Sequence, residues 1–238
     1  MIRVYGFGPA FDLPDASPFV LKVEAFLRWQ DIDYQKVNGL GAVRRAGNGK
    51  LPLLEHARTL VPDSHAIIQH LVRSKGLVID ADLDDAQQRE TTWMAHTLEE
   101  HLYFILLWVR WWPQGTWPQV REALFQQVPR GLRGPVSAMV RRQIRRQAWA
   151  QGVARYPVPE IENMLHGVLS PLSQGLGSQT TWFGDDRVHY IDCLLYAFLA
   201  PVLMSSFRSK HLPEAGAYPN LRAYVDRMHW RLGFATGG

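Results

Sequence analysis

The pattern of apolar residues changes near residue 75, and this change restricts the folds that the chain can adopt. Before it, short runs with alternating apolar residues predict strands, and runs with helical spacing predict helices. The predicted strands are 2–7, 34–37, 51–55 and 58–61, and the predicted helices are 18–30 and 64–73. A strand, a helix and a second strand in this order need a right-handed crossover, so the first part of the chain predicts a small sheet with parallel character.

Beyond Gly76 the alternation disappears and helical patterns remain. Residues 84–112 carry apolar side chains at a spacing close to 3.5, which predicts one long helix; they are Trp93, Leu98, Leu102, Ile105, Val109 and Trp112. Further helices are predicted at 135–151, 159–173, 189–207 and 218–231, between Gly- and Pro-containing segments. We therefore expect an α/β domain at 1–75, a linker at 76–84 and an all-helical domain at 85–238.

The long predicted helix carries a second apolar stripe, formed by Phe104, Trp108 and Trp111. Aromatic residues with this spacing most often pack in a core or at a dimer contact. The alternative interpretation is that they line an apolar substrate cleft, with Tyr103 near them.

Composition favours an ordinary globular protein. Hydrophobic residues make up 47% of the chain and charged residues 20%, and the N-terminus lacks the apolar run of a secretory signal. The single cysteine, Cys193, lies in an apolar stretch, so we expect a buried, unreactive thiol. These features predict a cytoplasmic protein without a transmembrane segment.

Positive charge is concentrated in one region. Seven arginines and no acidic residue lie between Pro129 and Pro159. Four of them, Arg141, Arg142, Arg145 and Arg146, share a helical face. We expect this face to be solvated or to pair with the acidic segment 80–85, and we do not expect a nucleic-acid partner.

The segment Ser17-Pro18 predicts the start of a helix and, at the same point, a position that suits an anion. Serine at the N-cap and proline at the first helical position are both favoured there, because serine satisfies a free N–H and proline has none to lose. A hydroxyl at that point also faces any anion that the helix end attracts. A thiolate bound there would gain about 0.3 to 1 kcal/mol from the helix dipole.

Two later segments have similar dual interpretations. Pro52 falls where a strand begins, and proline in a sheet is confined to edges, first residues and special turns. The pair Asp63-Ser64 predicts a helix cap, but free N–H groups beside an acid also suit the carboxylate and amine of an amino acid.

Metal and nucleotide sites are not predicted. His65 and His70 are five residues apart, as are His96 and His101, whereas two ligands on one helical face need a spacing of three or four. The sequence contains neither a Walker loop nor a G-x-G-x-x-G motif.

Several residues in a fixed order resemble a known family. In the first part these are Ser17-Pro18-Phe19 with Lys22, Glu24, Leu27 and Arg28, then Asn48 to Pro52, then Asp63-Ser64 with Ile67, Ile68, His70 and Leu71. They resemble the thioredoxin-like N-terminal domain of cytosolic glutathione transferases. In the second part, residues such as Trp93, Leu98-Glu99-Glu100, Arg110-Trp111, Phe183-Gly184-Asp185, Asp192 and Tyr218-Pro219 resemble the failed axon connections and metaxin-like subgroup.

The resemblance implies roles for particular residues. Ser17 matches the position that contacts the sulfur of glutathione, and Tyr5 is a rival hydroxyl because the segment before Ser17 is long. Leu51, before a cis-proline at Pro52, would pair with the cysteinyl backbone. Asp63 and Ser64 would hold the γ-glutamyl group, and Lys50 would approach the glycyl carboxylate. Asp192 matches a buried helix-capping acid, although His189 stands where the family usually has Ser or Thr.

Two functions follow from the resemblance. In the first, the protein binds glutathione as co-substrate, without a metal, and transfers its thiolate to a small electrophile in a cleft near Tyr103, Trp108 and Trp111. In the second, the fold serves protein interaction, because metaxin-like relatives are associated with assembly. The family habit also implies a homodimer.

Overall fold

A four-stranded mixed sheet forms the first part of the computed structural model, which describes residues 1–234. The strands are β1 (Ile2–Gly6), β2 (Gln35–Asn38), β3 (Leu53–His56) and β4 (Thr59–Pro62), in the spatial order β2-β1-β3-β4. β1 runs parallel to β2 and antiparallel to β3, and β3 runs antiparallel to β4. The predicted α/β fold of this part is confirmed, with strand ends shifted by one or two residues.

Nine helices follow or interrupt the strands in the described part of the chain. They are α1 (Pro18–Trp29), α2 (Ser64–Lys75), α3 (Asp85–His96), α4 (Tyr103–Trp111), α5 (Trp117–Leu124), α6 (Arg130–Gln151), α7 (Val158–Leu176), α8 (Tyr190–Leu203) and α9 (Pro219–Arg231). Short 3₁₀ turns occupy Leu40–Arg44 and Val153–Arg155. The predicted all-helical second part is confirmed.

Helix α1 is buried on nearly every side because it lies between two cores. Val23, Phe26 and Leu27 pack with the sheet and α2. Leu21 and Ala25 belong to the larger core of the helical part. Even Lys22 is fully buried, and its Nζ lies 2.6 Å from a carboxylate oxygen of Glu99. This ion pair ties the two parts of the molecule together at α1.

The long predicted helix is interrupted by a π-helical turn at Thr97–Leu102, between α3 and α4. A π turn inserts an extra residue, so the apolar stripe changes face across it. Trp93 precedes this turn and is 69% exposed, whereas Leu98 lies within it and is buried, so the two do not share the predicted apolar face.

Helix α5 was not among the helices predicted from the sequence. Pro118 lies in its first turn, where the missing N–H costs nothing. Proline also lies inside α6, α7 and α8, at Pro135, Pro171 and Pro201. The prediction that α6 starts at residue 135 is therefore five residues late.

The arginine face of α6 differs from the expectation in part. Arg141 is buried, and its guanidinium donates to the carbonyl oxygens of Trp111, Trp112 and Pro113 at 3.0 to 3.1 Å. It therefore satisfies the free carbonyls at the end of α4. The expected pairing with the segment 80–85 is wrong, since Asp80 bonds His189 and Asp82 bonds Arg187.

Cys193 is fully buried in α8, as predicted, and burial raises the pKa of its thiol. Among the helices of residues 1–234, none has both the length and the apolar character that crossing a bilayer requires.

Candidate functional site

The register of the sheet brings three distant segments to one of its ends. Tyr5 pairs with Leu53, and Leu53 pairs with Pro62. The end of β1, the start of β3 and the end of β4 therefore lie side by side. Since Pro52 precedes β3 and Asp63 follows β4, the predicted peptide-binding segments flank this one end of the sheet.

The loop from Phe7 to Ser17 returns the chain to the same end. Ala16 N–H donates to the carbonyl of Gly8 at 3.2 Å. The buried carboxylate of Asp15 accepts from the N–H groups of Gly8 and Ser17, both at 2.9 Å, and pairs with Lys36 Nζ at 3.0 Å. Burial raises the pKa of Asp15, and Lys36 opposes that rise. This folded loop fixes the position from which α1 begins.

The start of α1 leaves two polar groups unused. Ser17 is the N-cap residue, but its side chain caps no N–H group. The N–H of Phe19 has no hydrogen-bond partner within residues 1–234. Ser17 is only partly buried, so its hydroxyl and this N–H are available at the positive end of the helix dipole.

The segment before β3 also presents free backbone groups. The Leu51–Pro52 peptide bond is cis, as the resemblance implies. Leu51 and Pro52 are buried, whereas Lys50 is exposed. Neither the N–H nor the carbonyl of Leu51 has a partner among the described residues. An extended peptide could therefore pair with Leu51.

The start of α2 is capped by Asp63 and not by Ser64. One carboxylate oxygen of Asp63 accepts from the N–H groups of His65 and Ala66, at 2.9 and 3.2 Å, so Asp63 is a true cap. Its φ is +74°, a conformation that non-glycine residues avoid and that recurs at binding sites. The hydroxyl and N–H of Ser64 have no partner within residues 1–234.

The geometry separates the rival hydroxyls of Tyr5 and Ser17. The Tyr5 hydroxyl donates to Glu55 at 2.5 Å and accepts from Arg45 at 2.7 Å, and Arg45 also covers its ring. Its hydrogen-bonding capacity is largely used. Ser17, by contrast, lines a cavity that Tyr5 does not reach.

This cavity has a volume of about 150 Å³ and lies against the N-terminus of α1. Its walls come from the loop before α1 and from α4, α5 and α6, with Phe7, Ala16, Ser17, Pro18, Tyr103, Leu106, Leu107, Arg110, Trp111, Leu124, Phe125, Val140 and Ile144. Burial raises the pKa of Tyr103, whose hydroxyl has no partner in the described part of the chain. Apart from the Ser17, Tyr103 and Arg110 side chains, the walls are apolar.

Two of the three predicted cleft residues line the cavity. Tyr103 and Trp111 do, whereas Trp108 faces the core, with its ring against His211 at 5.1 Å between centroids. Sequence reasoning did not place Arg110, Phe125 and Ile144 at the site. The available signal was Arg110 itself, a lone basic residue in the apolar run of α4.

A group of potential metal ligands also escaped the sequence search. Asp82, Asp185 and His189 lie within ligand distance of one another. Each is already engaged, because His189 bonds Asp80 at 3.0 Å and Asp185 at 2.9 Å, and Arg187 pairs with Asp82 and Asp185. Burial alone would lower the pKa of His189, but bonds to Asp185 and Asp80 raise it. The arrangement is a hydrogen-bonded brace between the linker and the start of α8.

Comparison with known proteins identifies the family. The family model described as the glutathione S-transferase N-terminal domain matches residues 18–116, and the glutathione S-transferase C-terminal domain matches residues 165–228. An isoprene-epoxide–glutathione S-transferase of Rhodococcus sp. strain AD45 is 30% identical over 234 residues, covering 96% of this chain and 98% of that protein. The chain belongs to the glutathione S-transferase family.

Other relatives confirm the resemblance to the second subgroup. Failed axon connections of Drosophila melanogaster is 28% identical and matches 94% of this chain but only 54% of its own length. Metaxin-2 of Mus musculus is 23% identical over 87% of this chain and 79% of its own.

Solved structures show the same fold. A β-etherase of Sphingobium sp. strain SYK-6 has a TM-score of 0.64 at 14% identity, covering 96% of this chain and 94% of that one. A rice glutathione S-transferase solved in complex with glutathione has a TM-score of 0.59 at 17% identity, covering 97% of this chain and 87% of that one.

Proposed function

We propose that the protein binds glutathione at the end of the sheet and transfers its thiolate to a small electrophile in the adjoining cavity. The observation that carries this proposal is Ser17, whose hydroxyl caps nothing and lines an apolar cavity at the start of α1. A helix N-terminus with free donors is a favourable place for a thiolate.

Each part of a γ-glutamyl tripeptide has a matching group. The backbone of Leu51 would pair with the cysteinyl residue, the hydroxyl and N–H of Ser64 would bind the γ-glutamyl carboxylate, and Asp63 lies next to its amine. Lys50 is exposed near the same segment and would meet the glycyl carboxylate. The backbone of Leu51 and the hydroxyl and N–H of Ser64 have no other partners in residues 1–234, so pairing with them would break no existing hydrogen bond. Asp63 keeps its cap on α2 through one carboxylate oxygen, Oδ1, and would use the other.

The chemistry assigned to Ser17 is activation of the thiol. A hydrogen bond to a charged group is worth about 1.5 to 3 kcal/mol, which corresponds to about 1 to 2 pKa units. The Ser17 hydroxyl and the Phe19 N–H would therefore lower the pKa of the bound thiol and keep more of it ionised at neutral pH. The thiolate would then attack a carbon atom of the molecule in the cavity.

The size of the cavity suggests a compact electrophile. A cavity of about 150 Å³ accommodates a molecule such as benzene. The Rhodococcus relative is named for an isoprene epoxide, which has about as many non-hydrogen atoms as benzene. We infer a small epoxide or an electrophile of similar size.

The test is to titrate glutathione bound to the native protein and to Ser17→Ala, following the ultraviolet absorbance of the thiolate. We expect Ser17→Ala to raise the thiol pKa by about 1 to 2 units and to lower turnover at neutral pH by about 10- to 100-fold. Tyr5→Phe is the matched control and should leave the thiol pKa unchanged. A rise in Tyr5→Phe instead would assign the activation to Tyr5.

An interaction role is the second candidate, favoured by the likeness to Metaxin-2 and by exposed tryptophans. Trp93, Trp149 and Trp230 are 69%, 53% and 74% exposed. Calorimetric titration separates the two functions. If the native protein shows no affinity for glutathione, the transferase proposal fails and the interaction role is favoured.

A further inference from the structure

Arg110 is the most unusual polar residue in the described part of the chain. It lies in α4 and is only 7% exposed. Its Nη1 donates to the carbonyl of Ala16 at 2.7 Å, but its Nε and Nη2 are buried without a hydrogen-bond partner among residues 1–234. No carboxylate among residues 1–234 lies within ion-pair distance of it. Burial lowers the pKa of Arg110 to about 10, so it remains a cation at neutral pH.

Structural contacts account for only part of this side chain. The bond to Ala16 holds the loop that precedes Ser17, and the guanidinium carbon lies 5.3 Å from the ring centroid of Phe11 and 5.9 Å from that of Phe207. These contacts use Nη1 and the faces of the guanidinium plane. They leave the Nε–Nη2 edge, which carries two parallel donors and is the side that binds an oxygen acceptor in a bidentate manner.

Leaving these donors buried and unpaired is costly. A buried polar group without a partner costs about 1 to 3 kcal/mol, and more when it is charged. Native proteins rarely keep such groups, and each one calls for an explanation such as strain, a catalytic role or a bound water or ion. Arg110 lines the same cavity as Ser17, so a molecule in the cavity whose oxygen reaches this edge would supply the acceptor.

We propose that Arg110 recognises an oxygen atom of the cavity's occupant, so that the second substrate is a compact apolar molecule with one anionic or strongly polarised oxygen. This inference rests on the proposed function for the identity of the reaction, but not for the binding preference itself. The apolar body would contact Leu106, Trp111 and Phe125, and its oxygen would point to the Nε–Nη2 edge.

With an epoxide as the second substrate, the reaction is opening of the ring by the thiolate. The thiolate sulfur forms a bond to one ring carbon, the bond between that carbon and the oxygen breaks, and its electron pair stays on the oxygen. The resulting alkoxide takes a proton from water, which replaces the proton that the thiol released on ionisation. Arg110 donates hydrogen bonds to this oxygen throughout and stays protonated, so it stabilises the charge that develops in the transition state.

The inference is tested with an unreactive pair of probes and without glutathione. Isobutyrate and isobutyramide have nearly the same shape, but only the first is an anion. Calorimetric titration of the native protein should show at least about tenfold tighter binding of isobutyrate, since a charge-assisted bond contributes about 1.5 kcal/mol or more. Equal affinities would overturn the inference.

Variants identify the side chain that causes the preference for isobutyrate over isobutyramide. Arg110→Met should abolish it, Arg110→Lys should retain part of it, and Arg146→Met, which removes an exposed arginine of α6, should leave it unchanged. A preference that persists in Arg110→Met, or that disappears in Arg146→Met, would place the anion elsewhere and refute the proposal.

A cavity-filling variant covers the case in which Arg110→Met does not fold. Ile144 lines the cavity from α6 and is only partly buried, so Ile144→Phe should block isobutyrate while glutathione still binds. Undiminished isobutyrate binding in this variant would contradict the inference. If the native protein binds isobutyrate but not glutathione, the proposed function fails and the assignment of Arg110 stands.

Discussion

Two helix starts in this molecule use their polar groups in opposite ways. At α8 the buried carboxylate of Asp192 accepts from His189 N–H at 2.8 Å, from Trp182 N–H at 2.9 Å and from the Tyr224 hydroxyl at 2.6 Å. At α1 the Ser17 hydroxyl and the Phe19 N–H have no partner within residues 1–234. At the start of α8 the polar groups stabilise the fold, whereas at the start of α1 two donors can bind a ligand.

The difference shows where to look for function in a well-packed fold. Buried polar groups are nearly always satisfied, because leaving them unpaired costs more than a hydrogen bond contributes. The open groups of Ser17, Phe19, Ser64 and Arg110 are therefore informative as a set, since they lie around one end of the sheet and one cavity. The hydrogen-bond network at Asp192, in contrast, contributes to the stability of the fold.

The largest expected effect on stability is at the start of α8, where Asp192 accepts three hydrogen bonds. Asp192→Ala would leave three buried donors without an acceptor, and we expect the free energy of unfolding to fall by about 3 to 5 kcal/mol. Denaturant unfolding followed by circular dichroism measures this. Tyr224→Phe, which removes one donor and leaves the carboxylate bonded to two, should cost only about 1 kcal/mol. Equal losses in the two variants would show that Asp192 is not the centre of the network.

The brace at His189 should give a smaller, pH-dependent effect. His189→Gln is expected to cost about 1 to 3 kcal/mol where the ring is charged. Because the pKa of His189 is raised above its ordinary 6.5, its contribution is complete below that pH and is lost as pH rises through the raised value. The pKa of Asp185 is lowered to about 2, mainly by His189 against the effect of burial, so its contribution is complete above 3.8 and lost towards pH 2.

The measurement is the difference in unfolding free energy between native protein and His189→Gln at several pH values. It should be largest below pH 6.5 and above the pKa of Asp80, which burial raises from its ordinary 3.8, and it should shrink on the alkaline side. Asp80, Asp82 and Arg187 also face this ring, so Asp185→Asn serves as a second variant and should remove part of the same dependence. A difference that does not vary with pH would show that the brace acts through packing alone.

The sequence predicted the fold because its evidence is local. Strand alternation, helical spacing and the helix start at Ser17-Pro18 depend on neighbours a few residues apart, and the structure confirms the resulting two-part architecture. The predicted side-chain cap by Ser17 is wrong, because its hydroxyl bonds no N–H group. The segments at Leu51 and Ser64 were assigned to one peptide ligand through the family's order of residues, since a proline at a strand start and a helix cap each have a sufficient local explanation.

The cavity was predicted only in part because it depends on how distant helices pack. Trp108 and Trp111 belong to one predicted apolar stripe of α4, yet Trp111 lines the cavity while the ring of Trp108 packs against His211. Phe125 directly follows α5 and Ile144 belongs to α6, and no local sequence pattern predicts how these helices approach α4. Arg110 is conspicuous only when its two free donors are seen.

The smallest expected effect on stability is at the start of α1, at Ser17. Replacing a serine that caps a helix by alanine costs about 0.5 to 2 kcal/mol. Because the Ser17 hydroxyl caps nothing, Ser17→Ala should change the free energy of unfolding by less than about 0.5 kcal/mol. Asp63→Ala is the matched control at α2, where the carboxylate does cap two N–H groups, and it should show the full cost. If Ser17→Ala destabilises the protein as much as Asp63→Ala, the hydroxyl is a cap in solution, and the contrast between the two helix starts no longer argues for a thiol site.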